Sequence, residues 1–318
     1  MTATLRLSSD WLGLAILTLG GAIFLSVLRP DFLSSYNIFV LLDAIALSTM
    51  IALGQLAVIA LGQTNLSLGS IGGLVGVAFA GAMQAGGVAP WLAVLLGLAL
   101  GLACGLINGL LTARAGISAF VITLATLAAY KGVNLGLTQA QPLYDIPAVV
   151  KAVGTASISG PVPVLLIPAA IAVVFVWCLF DRIPLGRQIL AVGANQHAAR
   201  LAGISVSRAV IATHALSGLL AGAAGMMAVA RLQVGQPTIG DDWLIPSFTA
   251  PVIGGAILSG GYVSVAGAVW GVALVVLITQ ALVLFQVDPY YVQFLLGLLI
   301  LAAVGVNRFR SKRQTKAV

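Results

Sequence analysis

Charged side chains are scarce in this chain of 318 residues: 7% of them are charged, whereas 60% are hydrophobic. A soluble domain carries roughly 25% charged residues. So few polar side chains cannot cover a water-soluble globule, and the mean hydropathy of +1.12 agrees with this. The composition therefore argues against an ordinary soluble enzyme and indicates that most of the chain lies in a membrane.

Glutamate is absent, and Asp43 is the one carboxylate within an apolar run. Carriers coupled to protons or sodium rely on acidic side chains inside the membrane, so this absence weakens the interpretation as a secondary carrier. Lysine never follows glycine, so the phosphate-binding loop that ends in Gly-Lys is also missing. If the protein moves a cargo by ATP hydrolysis, another chain must supply the ATPase.

Residues that could bind a metal or catalyse a reaction are few. Cys104 and Cys178 both lie in apolar segments, which favours buried small side chains over a disulfide or a metal site. His197 lies in a polar loop and His214 stands alone in an apolar run. We therefore predict no catalytic residues, no metal site and no cofactor bound by this chain.

Apolar runs that approach the roughly 20 residues of a membrane helix recur along the sequence. We predict an all-α integral membrane protein of about ten helices, forming a single permease domain over 1–318. The predicted spans are 11–28, 37–60, 66–84, 91–113, 117–137, 162–180, 209–230, 244–258, 262–285 and 290–306. The eighth is short and contains Pro246 and Pro251, so we expect it to be broken or half-length.

The distribution of Lys and Arg predicts the orientation, because basic residues accumulate on the cytoplasmic side. An even number of spans places eleven basic residues on the side of the termini: Arg6, Arg114, Arg182, Arg187, Arg200, Arg208, Arg308, Arg310, Lys312, Arg313 and Lys316. Three lie on the other side: Arg29, Lys151 and Arg231. We therefore predict cytoplasmic termini, a cytoplasmic loop at 181–208, a basic cytoplasmic tail at 307–318 and a long periplasmic loop at 138–161. The net charge of +7 then reflects topology, and we predict no nucleic-acid partner.

Glycines recur at helical spacing in the fourth span, at Gly97, Gly101, Gly105 and Gly109. Positions four residues apart share one helix face, so a neighbouring backbone can approach closely there. Gly218 with Gly222, and Gly267 with Gly271, repeat the pattern. We predict these faces as helix-packing surfaces.

A polar stretch at 61–72 interrupts two apolar spans, and it has two interpretations. It is a capped turn, with Thr64 or Asn65 as the N-cap of the next helix, or it lines the path of a polar solute. Both can hold at once. The candidate path residues are Gln63, Thr64, Asn65, Ser67, Asn108 and Thr123. Asp43 and Lys131 lie near predicted helix ends, where an interfacial position is favoured.

Four blocks of sequence resemble bacterial ABC-importer permeases of the ribose, xylose and galactose type. They are ALGQLAVIALGQTNLSLGSIGGL at 52–74, GLINGLLTARAGISAFVITLATLAAYKG at 105–132, GRQILAVGANQHAARLAGISVSR at 186–208, and LSGLLAGAAGMMAVARLQVGQPTIGDDWLIPSFTAPVIGGAILSGGYVSVAGAVWG at 216–271. The resemblance covers nearly the whole chain in order. It differs at Asn65, where the family pattern has aspartate.

The resemblance implies a multi-pass subunit of a bacterial inner membrane. Its partners would be a second permease (the same chain or a paralogue), two cytoplasmic ATPases that use ATP and Mg²⁺, and a periplasmic sugar-binding protein. In the family a cytoplasmic loop docks into the ATPase, and the matching positions here are Gly186, Arg187, Ala191, Gly193, Asn195, Ala198, Ala199, Gly203 and Ile204. The residues themselves predict a short helix between Gly193 and Gly203.

The cargo implied by the resemblance is a small polar solute, most readily a monosaccharide, moved by alternating access. Two alternatives stay open: a branched-chain amino-acid importer permease and a stand-alone secondary carrier. A membrane-embedded enzyme would need an acid-base or metal constellation that the sequence lacks.

Overall fold

The computed structural model describes residues 10–288 together with Tyr291, Phe294, Gly297, Leu298 and Leu301. Its helices are α1 Asp10–Leu28, α2 Ser35–Ile59, α3 Leu68–Gln84, α4 Pro90–Arg114, α5 Ala119–Thr138, α6 Ala148–Thr155, α7 Leu166–Asp181, α8 Pro184–Ala194, α9 Gln196–Leu201, α10 Val206–Leu232, α11 Leu244–Ile253 and α12 Val265–Leu284. A 3₁₀ turn at Pro30–Leu33 follows α1, and a small antiparallel hairpin joins β1 Ser157–Ser159 to β2 Val162–Pro163. The fold is all-α, as the hydropathy predicts.

Six helices of the described chain are long and apolar enough to cross a membrane, or seven if the bent pair α7 and α8 counts as one span. Helices α3 and α11 are apolar but shorter. The first nine predicted spans each coincide with a helix. The tenth, 290–306, falls largely outside the described residues, as does the basic tail at 307–318.

Helix α10 forms the centre of the bundle, with 78% of its apolar window buried against 17% for α1. Its burial follows from its small side chains, which let α2, α3 and α4 pack closely around it. Helix α4 runs antiparallel to it, because Gly97 lies against Met226 and Gly109 lies against Ile211. At Gly101 and Gly105 the facing groups are backbone atoms of α10. The four glycines thus lie on a single interface.

The chain bends by 68° between α7 and α8. Pro184 begins α8, and Gly186 lies so close to the Leu179 carbonyl that a Cβ there would be 2.0 Å from its oxygen. Helix α9 begins where the Asn195 side chain accepts a hydrogen bond from Ala198 N at 3.0 Å. It ends just before Gly203, whose φ of +78° suits glycine. Helix α9 confirms the predicted short helix, whereas α8 was not predicted.

The two ends of the bundle differ in charge. The antiparallel packing of α4 and α10 places Arg114 at the end that carries α8 and α9, here called the α8–α9 end. Arg182, Arg187, Arg200 and Arg208 lie at the same end. At the opposite end Gly154 of α6 packs on Ala230, which places Lys151 at the same end as Arg231. Arg29 lies over the Phe285 ring, which follows α12.

Candidate functional site

The connection between α2 and α3 lies inside the bundle. Helix α2 ends at Ile59 and α3 begins at Leu68, and Asn65 and Ser67 between them are both 0% exposed. Gly62 makes the turn possible with a φ of +70°. Non-helical backbone is tolerated at membrane depth only inside protein or beside water. The polar groups of the connection between α2 and α3 therefore need hydrogen-bond partners.

A chain of side-chain hydrogen bonds supplies those partners and joins four parts of the bundle. The Tyr130 hydroxyl lies within donating distance of the Cys104 carbonyl (3.0 Å) and of Asn108 Oδ1 (3.2 Å). Asn108 Nδ2 donates to Ser67 Oγ (2.7 Å). Ser67 Oγ donates to Asn65 Oδ1 (2.8 Å), and Asn65 Nδ2 donates to Ser217 Oγ (2.9 Å). Helices α5, α4 and α10 are thereby tied to the break between α2 and α3. We call these five residues the amide network.

Asn65 uses both ends of its amide. Its oxygen also accepts the Ser67 backbone N–H at 3.1 Å, while its nitrogen donates to Ser217. A carboxylate accepts but does not donate, so the aspartate of the family pattern could not donate to Ser217 as Asn65 does. The predicted N-cap is wrong: Ser67 is the cap residue of α3, and Asn65 lies two residues before it.

The six predicted path residues lie together, but in two groups. Asn65, Ser67, Asn108 and Thr123 are fully buried, whereas Gln63 and Thr64 are half-buried. Gln63 Oε1 lies 3.1 Å from His214 Nε2, and Thr123 donates to Ala119 O at 2.7 Å. His214, which the sequence left without a role, therefore contacts the break directly.

Asp43 is buried inside the protein, and its partner is Arg231 near the end of α10. It is 3% exposed, and its carboxylate forms an ion pair with Arg231 at 2.6 Å. Burial is possible because α2 and α10 pack together and bring the opposite charge into contact. Lys131 is half-buried. Its ammonium group forms an ion pair with Asp241 (2.6 Å) and donates a hydrogen bond to the Pro237 carbonyl (2.9 Å).

The nine loop positions expected to contact an ATPase fall into structural and exposed groups. Gly186 and Gly203 allow the turns, Asn195 caps α9, and Ile204 N donates to the Ala199 carbonyl at 3.0 Å. Arg187 and Ala198 are exposed, and Ala191 is half-buried. Leu201, which the sequence did not single out, is 78% exposed on α9. Leu201 and Ala198 are three residues apart on α9, so they lie on the same face of this helix.

Gly193 belongs to a contact made almost entirely of backbone, here called the glycine junction (Gly62, Gly193, Gly260 and Gly261). The Gly261 N–H donates to the Ala60 carbonyl at 3.0 Å. A Cβ at Gly193 would be 2.0 Å from the Ala60 oxygen, and one at Gly62 would be 2.4 Å from the Ser259 oxygen. The junction thus joins α8 to the end of α2 and to the loop before α12.

At the opposite end the segment 233–243 enters the bundle along α3 (the re-entrant segment). Gly235 lies beside Ala80 and pairs with Leu143, whereas Gly240 lies against Gly69. Ala80 and Gly69 are eleven residues apart, so the segment descends about 16 Å at 1.5 Å per residue.

Helix α11 then starts within the bundle and has 10 residues, or about 15 Å. The eighth predicted span is therefore a half-helix preceded by a series of turns, in agreement with the expected break.

The chain is similar to sugar permeases along its length. It is 37% identical over 303 residues to the ribose import permease of Bacillus subtilis (strain 168), which covers 95% of this chain and 92% of that protein. It is 34% identical over 299 residues to the D-allose transport system permease of Escherichia coli (strain K12), with 93% and 91% covered. The L-arabinose transport system permease of the same organism is 32% identical over 299 residues, with 94% and 89% covered. No solved structure matches the chain.

A family model described as branched-chain amino acid transport system/permease component matches residues 37–304. The match spans the break, the amide network, α8, α9 and the re-entrant segment. Together with the whole-length relatives, it confirms the resemblance seen in the four sequence blocks: the chain belongs to this family of transport permeases.

Proposed function

We propose that this chain is the transmembrane subunit of an ATP-driven, binding-protein-dependent importer, and that its cargo is a monosaccharide. One observation carries the proposal: identities of 32–37% extend over more than nine-tenths of the chain to permeases for ribose, D-allose and L-arabinose. The chain supplies the passage and has no catalytic role of its own.

The proposed orientation has the α8–α9 end in the cytoplasm of a bacterial inner membrane, with about ten spans and both termini on that side. Five arginines lie at this end within the described residues: Arg114, Arg182, Arg187, Arg200 and Arg208. The positive-inside tendency favours this placement. The loop 138–161, with α6 and the hairpin, then faces the periplasm.

The proposed partners follow from that orientation. Two ATPases that use ATP and Mg²⁺ would contact α8 and α9, a second permease would complete the passage, and a sugar-loaded binding protein would dock at the periplasmic end. The exposed side chains of Arg187, Ala198 and Leu201 support the ATPase contact. Movement of α8 would then reach α2 through the glycine junction.

The proposed path passes the break between α2 and α3. Gln63 and Thr64 are the members most accessible to a solute, because both are half-buried. Asn65, Ser67, Asn108 and Thr123 form the wall behind them, where the amide network fixes the shape of the break. Neutral donors and acceptors of this kind suit an uncharged, hydroxylated cargo.

Co-purification with the ATPase encoded beside this gene tests the assembly. In detergent, the wild-type chain should retain the ATPase, and one sugar-loaded binding protein should stimulate its ATP hydrolysis. Leu201→Asp should abolish the association, because it places a charge in an apolar contact. Ile158→Asp is the matched control: Ile158 is also an exposed apolar residue, 55% accessible, but lies in the hairpin at the other end.

Two results would contradict the proposal. Solute flux through the purified chain without an ATPase would support a secondary carrier. Stimulation by a binding protein loaded with leucine, with none by sugar-loaded proteins, would support the amino-acid cargo that the family description mentions.

A further inference from the structure

A cavity of about 220 Å³ lies between α2, the end of α10 and the re-entrant segment. Pockets for drug-sized ligands are roughly 300–1,000 Å³, so this one fits a smaller solute. Its lining includes Leu47 near the middle of α2, Arg231, Gln236, Thr238, Asp242 and Trp243. The cavity is separate from the break, because none of the six candidate path residues lines it.

The shape of this cavity depends on the glycines of α3. A Cβ at Gly72 would be 2.3 Å from the Trp243 ring, and one at Gly73 would be 2.4 Å from the Ile239 carbonyl oxygen. Lys131 and Asn134 hold the segment from the other side, because both donate to the Pro237 carbonyl (2.9 and 3.0 Å). Irregular backbone at this depth is expected where it lines a watery cavity.

The charges around the cavity disfavour an anionic ligand. Arg231 is already paired with the buried Asp43 at 2.6 Å, so its charge is compensated. Asp242 is exposed and makes no hydrogen bond or ion pair with the described part of the chain. A carboxylate with free acceptor positions can bind neighbouring hydroxyl groups, and an anion would be repelled.

The remaining groups complete a hydroxyl-binding site. The side-chain amide of Gln236 and the hydroxyl of Thr238 each donate and accept. Trp243 and Leu47 supply apolar surface on the same cavity. Placed polar groups beside apolar surface are typical of small-molecule sites.

We propose that this cavity is a transit site for a monosaccharide, in which Asp242, Gln236 and Thr238 bind the hydroxyls and Trp243 packs against the ring. This inference rests on the proposed function and specifies a site where the sugar binds transiently during transport. The site lies at the end opposite α8 and α9, where a solute released by a binding protein would enter.

Protection of an introduced cysteine tests the site directly. The background replaces Cys104 and Cys178 by Ala, and Leu232→Cys places a thiol in the cavity of the assembled complex in nanodiscs; Leu232 is an exposed lining residue with no assigned contact to the sugar. D-ribose, D-allose or L-arabinose should slow the reaction of this thiol with a membrane-impermeant maleimide, about twofold when the sugar concentration equals its Kd. Thr155→Cys, exposed at the same end outside the cavity, should react at an unchanged rate.

A second variant separates binding from simple obstruction. Asp242→Asn in the same background should raise the sugar concentration for half-protection about tenfold, as expected for a lost hydrogen bond to a charged group. Asp145→Asn, an exposed aspartate at the same end but outside the lining, is the matched control and should leave it unchanged.

Three outcomes would overturn the site: no protection by any of the three sugars, protection by L-leucine instead, or equal protection in Asp242→Asn. ATPase association and stimulated hydrolysis are measured on the same preparations. If they persist while protection fails, the transit site is wrong and the importer stands. If protection occurs without association or stimulation, the importer is wrong.

Discussion

Asn65 shows how one side chain can hold a helix break in place. Its amide oxygen accepts twice from Ser67, and its amide nitrogen donates to Ser217. All three residues are fully buried, so water cannot replace a lost partner. The arrangement depends on an amide, because an apolar side chain of similar size satisfies none of these groups.

We predict that Asn65→Leu lowers the thermal stability of the purified protein strongly. It removes the acceptor of the Ser67 N–H and of the Ser67 hydroxyl hydrogen, and the donor to the Ser217 hydroxyl. A buried polar group left unsatisfied costs about 1–3 kcal/mol. Thermal unfolding in detergent measures the loss. Thr155→Val is the control, because the Thr155 hydroxyl bonds only within its own exposed helix. A midpoint no lower than that of the control would contradict the role of Asn65.

At the scale of elements, backbone contact determines how α4 and α10 fit together. A Cβ at Gly101 would be 2.7 Å from the Gly218 carbonyl oxygen, and one at Gly105 would be 2.3 Å from the His214 carbonyl oxygen. Neither oxygen can move away without displacing the helix. The interface is therefore less tolerant of added volume than one made of flexible side chains.

Gly101→Leu is predicted to destabilise the bundle by at least the roughly 1–3 kcal/mol typical of overpacking. Fluorescence-detected size-exclusion chromatography after heating measures the effect. Gly132→Leu makes the same change in α5, where a Cβ meets nothing within 4 Å, and should be tolerated. Equal sensitivity of the two variants would contradict this account, because only Gly101 lies against a backbone carbonyl.

The sequence predicted these elements unevenly. Spacing alone identified the glycine face of α4, because residues four apart share a helix face whatever their partner. Hydropathy could not identify the course of 233–243, since that segment is held by contacts with Gly69 and Gly72 that lie far away in sequence. Helix α8 was not predicted for a related reason: the bend between α7 and α8 depends on Gly186 lying against Leu179.

For the whole molecule, the orientation gives a direct prediction. In the background lacking Cys104 and Cys178, Ile158→Cys should react with an impermeant maleimide applied from the periplasmic side, because Ile158 is exposed and the proposed orientation places the hairpin on that side. His197→Cys, exposed at the α8–α9 end, should react only after the inner membrane is opened. Labelling with the reverse sidedness would contradict cytoplasmic α8 and α9.

Much of the architecture was readable from the sequence, and much of the site was not. Apolar length located the major helices, as for α1, predicted at 11–28 and found at Asp10–Leu28. The residues around the break were chosen for their polarity. The bonds among them, and the pairing of Asp43 with Arg231, depend on helices distant in the chain. Polarity marks a candidate residue, whereas its role depends on what packs beside it.

The glycine junction has a mechanical consequence. Side chains between two moving elements act as compliant spacers, because they absorb a small displacement by changing rotamer. The Ala60 carbonyl contacts the backbone of Gly193 and accepts a hydrogen bond from the Gly261 N–H, with no side chain between them. A displacement of α8 is therefore transmitted directly to the end of α2 and to the loop before α12. These parts are rigidly coupled, because no flexible side chain lies between them.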